Sequence, residues 1–269
     1  MALRDRLRSP VFTSGLSVAD FALTGLAGVR PVSQVMGSSV YQVGWQNYPW
    51  SGSLGSRRST ELTQLTTAWN TARRLALDRL EDEARTAGAD AVVDVTFESR
   101  RHDFLANEIE VVVNGTAVRG DGAKGERPVL TDLSMSDYTL LRAGGYEPVG
   151  VVASTSVFYV IAGWRTWRAT TGMGRFAPNQ ELEDFTQGVY EAREMALGRA
   201  STQAERLGAA GMVGVSVDHH VAVRETERSS TSGKDLIVTF HVLGTAIAPH
   251  GEHRALAPET VVRQGAPTR

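Results

Sequence analysis

Leu16-Ser-Val-Ala-Asp-Phe21 returns 117 positions later as Leu133-Ser-Met-Ser-Asp-Tyr138. The same offset carries Gly28 to Gly145, Pro31 to Pro148, Val32 to Val149 and Val40-Tyr41 to Val157-Phe158. Ala72-Arg-Arg-Leu-Ala-Leu77 matches Ala192-Arg-Glu-Met-Ala-Leu197 at an offset of 120, which also carries Gly88-Ala89 to Gly208-Ala209. Gly115-Thr-Ala-Val118 matches Gly244-Thr-Ala-Ile247 at 129. Offsets that grow in steps while the order is kept describe one unit duplicated, with short insertions at two loops.

Each copy reads as α–β–α–β–β. Ser17 with Asp20, and Ser134 with Asp137, have capping-box spacing: the hydroxyl accepts from an orphan N–H, and the carboxylate reaches back. The short helix stops near Gly28 or Gly144-Gly145, where glycine tolerates a left-handed cap. Pro31 or Pro148 opens a β-branched run, 32–43 or 149–161, read as a strand. The long helix is expected over 60–86, with Leu62, Leu65, Trp69, Ala72, Ala76, Leu80 and Ala87 at helical spacing. Its second copy carries Phe185, Val189, Ala192, Ala196, Ala200, Ala204 and Leu207, and the alanines predict close approach to a sheet. Strands are expected at 91–97 and 109–113, and again at 212–217 and 236–242. The fold class is therefore α+β, in tandem βαββ units each preceded by a short helix. The expected division is a tail at 1–11, unit one at 12–119, a Gly/Pro linker at 120–128, unit two at 129–248 and a disordered tail at 249–269.

Composition removes several classes of function. The chain has 269 residues, 42% hydrophobic and 22% charged, with a net charge of −2, so no overall basic character points to nucleic acid. With no cysteine there is no disulfide, thiolate nucleophile or CxxC metal site. No apolar run approaches a membrane span, and the first ten residues lack a signal-type apolar core, so a cytoplasmic location is expected. No Gly-x-Ser-x-Gly elbow occurs, and Gly37-Ser38-Ser39 sits within a strand rather than before a helix, so neither a hydrolase nor a phosphate cradle is supported. No catalytic residues are assigned, and the chain is expected not to be an enzyme.

Two groups of residues are candidates for binding or contact. In an extended strand Asp218 and His220 share one face, with His219 on the other. A hairpin turning near 229–230 sets His241 beside Asp218, so Asp218, His220 and His241 converge. Two imidazoles with a carboxylate suit zinc, copper or nickel. The plainer reading of the same residues is a polar, solvated sheet face. Unit one has Glu98, Arg100 and Val112 at those places and cannot form this site. Trp45, Trp50, Trp164 and Trp167 fall in the same connection of both units, after the first strand. Aromatic residues are favoured at interface cores, which fits packing between units better than stacking on a ligand.

The runs Pro31-Val-Ser-Gln-Val-Met-Gly-Ser-Ser-Val-Tyr41, Gly88-Ala-Asp-Ala-Val-Val93 and Val113-Asn-Gly-Thr-Ala-Val118, with the Ala/Arg-rich helix before Gly88, resemble the YbjQ-like family, which is described as heavy-metal-binding. The resemblance covers most of 12–119 and, more weakly, 130–248, where Gly208-Ala-Ala-Gly-Met-Val213 departs from the middle motif. It implies a βαββ core that closes into a five-fold ring, with no defined metal-ligand set. Five is odd and the chain supplies two units, so the expectation is two stacked rings of like units in a homo-pentamer. Edge strands support self-assembly independently: a three-stranded unit has two open edges, and a closed ring pairs them. The leading expectation is a non-enzymatic, ring-forming assembly or binding protein, and the alternative is a transition-metal-binding or metal-sensing protein.

Overall fold

A computed structural model describes residues 12–44, 59–101, 108–120, 127–170, 179–228 and 231–250. Unit one contains α1 (Val18–Thr24), β1 (Val29–Gln42), β2 (Thr60–Glu61), α2 (Thr63–Thr86), β3 (Ala91–Arg101) and β4 (Glu108–Gly120). Unit two follows with β5 (Val129–Leu130), α3 (Met135–Ala143), β6 (Tyr146–Val160), α4 (Trp164–Thr170), α5 (Glu183–Arg206), β7 (Gly211–Arg228) and β8 (Thr231–Pro249). The chain is α+β.

Both short helices begin alike. Ser17 Oγ accepts from Asp20 N and donates to the Asp20 carboxylate at 2.6 Å, and Ser134 does the same with Asp137. The carboxylate thus holds the capping hydroxyl, rather than the backbone N–H expected from the spacing. Gly28 and Gly145 follow at positive φ, 66° and 80°.

One sheet has the order β1-β4-β3-β5 and the other β2-β6-β8-β7. Within each, the long strands pair antiparallel, with register shifts at corresponding places: Pro31/Ser33 and Pro148/Gly150, then Val93/Thr96 and Val213/Ser216. Asp94 (φ 56°) and Gly214 (φ 64°) make the second irregularity with the same left-handed residue. Asp218 pairs with His241, the register expected from a turn near 229–230.

The edge strands are exchanged between units. β2, from unit one, pairs with Tyr159 and Phe158 of β6. β5, from unit two, runs parallel to β3. The sequence places Thr60 and Glu61 at the opening of the long helix, but the helix starts at Thr63 because these two residues join the other unit's sheet.

The layers run α5, sheet two, α2, sheet one. Val152, Phe158, Val160, Val238, Phe240 and Val242 pack on the alanines of α5. Ser154 and Ser156 donate to the Ala196 and Ala192 carbonyls. The opposite face of sheet two, through Val157 and Tyr159, joins one core with Leu65, Trp69, Ala72, Ala76 and Leu80 of α2 and with Val35, Val111 and Val113 of sheet one. Gly37 permits this closeness, since a Cβ there would lie 1.9 Å from the Ala76 carbonyl oxygen. Helix α2 therefore has two covered faces, and the two units are lateral neighbours. The expected stacked rings, tied by the 120–128 linker, concern an assembly of several chains; within one chain the unit-one helix is the spacer between the two sheets.

Three boundaries also differ. The connection after β6 contains α4, hidden in sequence by its Trp and Arg content. β7 and β8 are much longer than the apolar runs that marked them. β8 passes the expected domain end to Pro249, and His250 N then donates to Gly145 O, so the tail begins later. Most of the expected linker, 121–126, lies outside the described residues, as do 1–11 and 251–269.

Candidate functional site

The joint between α2 and β6 is where the chain concentrates buried polar groups. Past β2, the open edge of β6 is satisfied by α2 rather than by a strand. Leu62 N donates to Val157 O at 2.8 Å, and Val157 N to Thr66 Oγ1 at 2.9 Å. The Asn70 amide clasps both backbone groups of Thr155, accepting from N and donating to O, each at 2.9 Å. Arg199 of α5 pairs with Glu61 at 2.7 Å, tying the second unit's helix to the exchanged strand.

Beneath this edge lies Arg73, a buried cation with no carboxylate partner among the described residues. Its guanidinium donates to Thr155 Oγ1 at 2.7 Å and to His241 Nδ1 at 3.0 Å, and stacks over Phe97. Arginine only donates, so Nδ1 accepts and the imidazole carries its hydrogen on Nε2. Burial lowers the Arg73 pKa to about 10, leaving it charged at neutral pH. Burial and then the Arg73 charge lower His241 to about 4, with His220 adding and Asp218 opposing, so His241 is neutral. Trp69 meets the imidazole edge-on at 5.1 Å.

Asp218 stands across from His241, while His220 stands across from Thr239. The three residues proposed as metal ligands are thus on adjacent strands, but the His241 Nδ1 lone pair faces an arginine. A fixed cation in hydrogen-bond contact with a would-be ligand opposes a divalent ion. No group of three His, Cys, Asp or Glu side chains among the described residues is placed to hold a metal. As arranged, the site does not fit zinc, copper or nickel. Sequence reading placed Trp69 on the helix's apolar face but missed Arg73, Asn70 and Thr155. One signal was available for Arg73: the long helix repeats an arginine at the same position, Arg193.

Beside the joint, a cleft of about 1040 Å³ runs between α2 and α5 over the β6 edge. Three of its arginines are neutralised, Arg74 by Asp78, Arg127 by Glu81 and Arg199 by Glu61. At the far end, Thr131 N donates to Val92 O, and Asp94 N to Leu133 O, both at 2.9 Å. Ser136 N donates to Asp20 at 3.0 Å. The Thr131 and Thr245 hydroxyls meet at 2.8 Å. Of the four tryptophans, Trp164 is exposed and stacks on buried Trp167 with centroids 4.9 Å apart. Both belong to α4, which packs within unit two, and Trp45 and Trp50 lie outside the described residues.

Positions related by the repeat differ sharply in burial. Val157 is 0% exposed in the joint, and its counterpart Val40 is 61% exposed. Met135 is 0% exposed and Val18 88%. Buried Tyr138 and Val95 answer to exposed Phe21 and Val215. At these four pairs, an apolar residue left open in one unit is the counterpart of one closed inside.

The family model described as "Putative heavy-metal-binding", YbjQ, matches residues 28–121. The chain is also 36% identical, over 258 residues, to a Mycobacterium tuberculosis protein named "Encapsulin nanocompartment protein Rv1762c". That match spans 93% of this chain and 91% of the other. Three motifs in order, a model match over the first sheet and a full-length relative lead to one assignment: the chain belongs to the YbjQ-like family.

Proposed function

We propose that this protein is a non-enzymatic building block, a tandem of two YbjQ-like units whose function is to assemble with copies of itself into a closed ring. The observation that carries the reading is the burial contrast between equivalent positions. Val18, Phe21, Val40 and Val215 are apolar and open on the single chain, yet their counterparts form the joint between its own units. Isolated apolar side chains on a surface need no explanation, but a set that reproduces an existing interface does. The relative's name, that of a nanocompartment protein, supports an assembly role.

Because the units of one chain are lateral neighbours, they alternate around the ring and its unit count is even. The five-fold closure implied by the family is therefore adjusted to six units from three chains. This opens each joint by about 12°, whereas four units would tighten it by about 18°. Native mass measurement tests the reading. Three chains, about three times the 29.0 kDa chain mass, are expected, and a monomer at all concentrations overturns it.

A further inference from the structure

We propose that the contact between chains repeats the internal joint residue for residue, so that the 180–182 segment and α5 of one copy dock on the open edge and outer face of the next copy's β1. The inference rests on the self-assembly reading and adds to it the surface and its pairing.

The first support is residue identity where a single chain does not use it in the joint. Glu61, Leu62, Thr66 and Arg73 are the joint-forming residues of unit one, and their counterparts are Glu181, Leu182, Thr186 and Arg193. Arg199, the partner of Glu61, corresponds to Arg79. Leu62 and Leu182 also precede their helices with the same backbone, φ −83° and ψ 76° against φ −94° and ψ 78°. That conformation turns the chain from an added strand into a helix in unit one, and unit two is shaped for the same turn.

The second support is the receiving edge. Met36 N donates to Glu83 as Ala153 N donates to Gln203, at positions matched on both strand and helix. Arg79 donates to Ser38 O. The backbone groups of residues 36, 38 and 40 therefore point to the open side of β1, as those of 153, 155 and 157 do on β6.

Carrying the internal contacts across gives a specific joint. Thr186 Oγ1 accepts from the Val40 N–H of the next copy, and Leu182 N donates to its Val40 carbonyl. Gln180 and Glu181 pair with its Gln42 and Tyr41, and Glu181 reaches its Arg79. At the other end, residues 12–16 of that copy lie along the first copy's β7, as 129–133 lie along β3, with Gly214 in the place of Asp94. Asp137 of the first copy accepts from the next copy's Ala19 N, as Asp20 accepts from Ser136.

Two contacts do not carry over. Asn70 is replaced by Tyr190, which has no amide to clasp a strand edge, and His241 by Val112, which gives Arg193 no imidazole. The contact between chains is thus poorer in polar interactions than the internal one, and it dissociates at denaturant concentrations that leave the chain folded.

The absence of cysteine makes the test clean. The Val40→Cys/Thr186→Cys double variant, treated with a short thiol-to-thiol cross-linker, is expected to give covalent dimers and trimers. Each single variant stays monomeric on a denaturing gel. Thr66→Cys/Val157→Cys, across the internal joint, is the control and links within one chain. Should the thiol variant not assemble, charge reversal decides: Glu181→Arg and Arg79→Glu each weaken assembly about tenfold, and together they restore it. Oligomers by native mass with no link between 40 and 186, or no rescue by the double reversal, overturn the joint while leaving self-assembly standing. A monomer by native mass overturns self-assembly itself.

Discussion

Replacing Val157 by Asp and replacing Val40 by Asp are the same change at equivalent positions, and they should have opposite consequences. Val157 is fully enclosed in the core that holds α2 between the two sheets. A carboxylate there is taken out of water in an apolar core, with the nearby Arg73 guanidinium already held by Thr155 and His241, and a buried charge left unpaired costs about 3–5 kcal/mol. That is a large share of the ~5–15 kcal/mol that holds a typical folded chain together. Val157→Asp should therefore lower the urea midpoint of the dilute chain steeply or prevent folding. Val40 is 61% exposed on the single chain, so Val40→Asp should change chain stability by no more than about 0.5 kcal/mol. In the proposed contact between chains the same side chain would be buried against a neighbour's α5. A penalty of about 3 kcal/mol there weakens each contact more than ~100-fold. Urea unfolding of dilute protein measures the first effect, and sedimentation velocity across a concentration series measures the second. If Val40→Asp assembles at the same concentration as the parent, or destabilises the chain as much as Val157→Asp does, the reasoning is refuted.

His241 gives a pH signature. Its folded pKa, about 4, lies below its ordinary 6.5, so protons bind the unfolded chain first and stability falls from about pH 6.5 to about pH 4, then levels off. Asp94 and Asp132 are raised by burial and work in the opposite sense at the acid end. His241→Gln should flatten the slope between pH 6.5 and 4 in urea titrations, and an unchanged slope would remove His241 as its source. Protein purified without an affinity tag is expected to hold no stoichiometric zinc, copper or nickel, because Arg73 occupies the approach to His241. Metal found by elemental analysis and lost in His220→Ala/His241→Ala would reverse that.

The elements legible in sequence were those with local causes. Ser17 and Ser134 announced two helix starts, Gly28 and Gly145 followed the same helices at positive φ, and the paired valine runs marked the central strands. The cross-strand neighbours Asp218 and His241 followed from strand alternation and one turn position. What could not be read was non-local. Two-residue strands such as Thr60–Glu61 and Val129–Leu130 carry no periodicity, and their partners lie in the other unit. Arg73 looked like an ordinary helix arginine until β6 was set against it, and the His241 site looked like a metal site for the same reason. The repeat itself was visible, but whether its copies stack or stand side by side depended on the second covered face of α2. That face is polar, Thr66, Asn70 and Arg73 at helical spacing beside the apolar stripe, and in the sequence such a row is indistinguishable from a solvated one.

The most direct test of the account is the native mass of the intact chain at micromolar concentration, measured beside Val40→Asp. The account predicts three chains for the parent, about three times 29.0 kDa, and a single folded chain for the variant. A five-chain particle would restore stacked rings of like units, and a parent chain that remains monomeric as concentration rises would contradict self-assembly altogether.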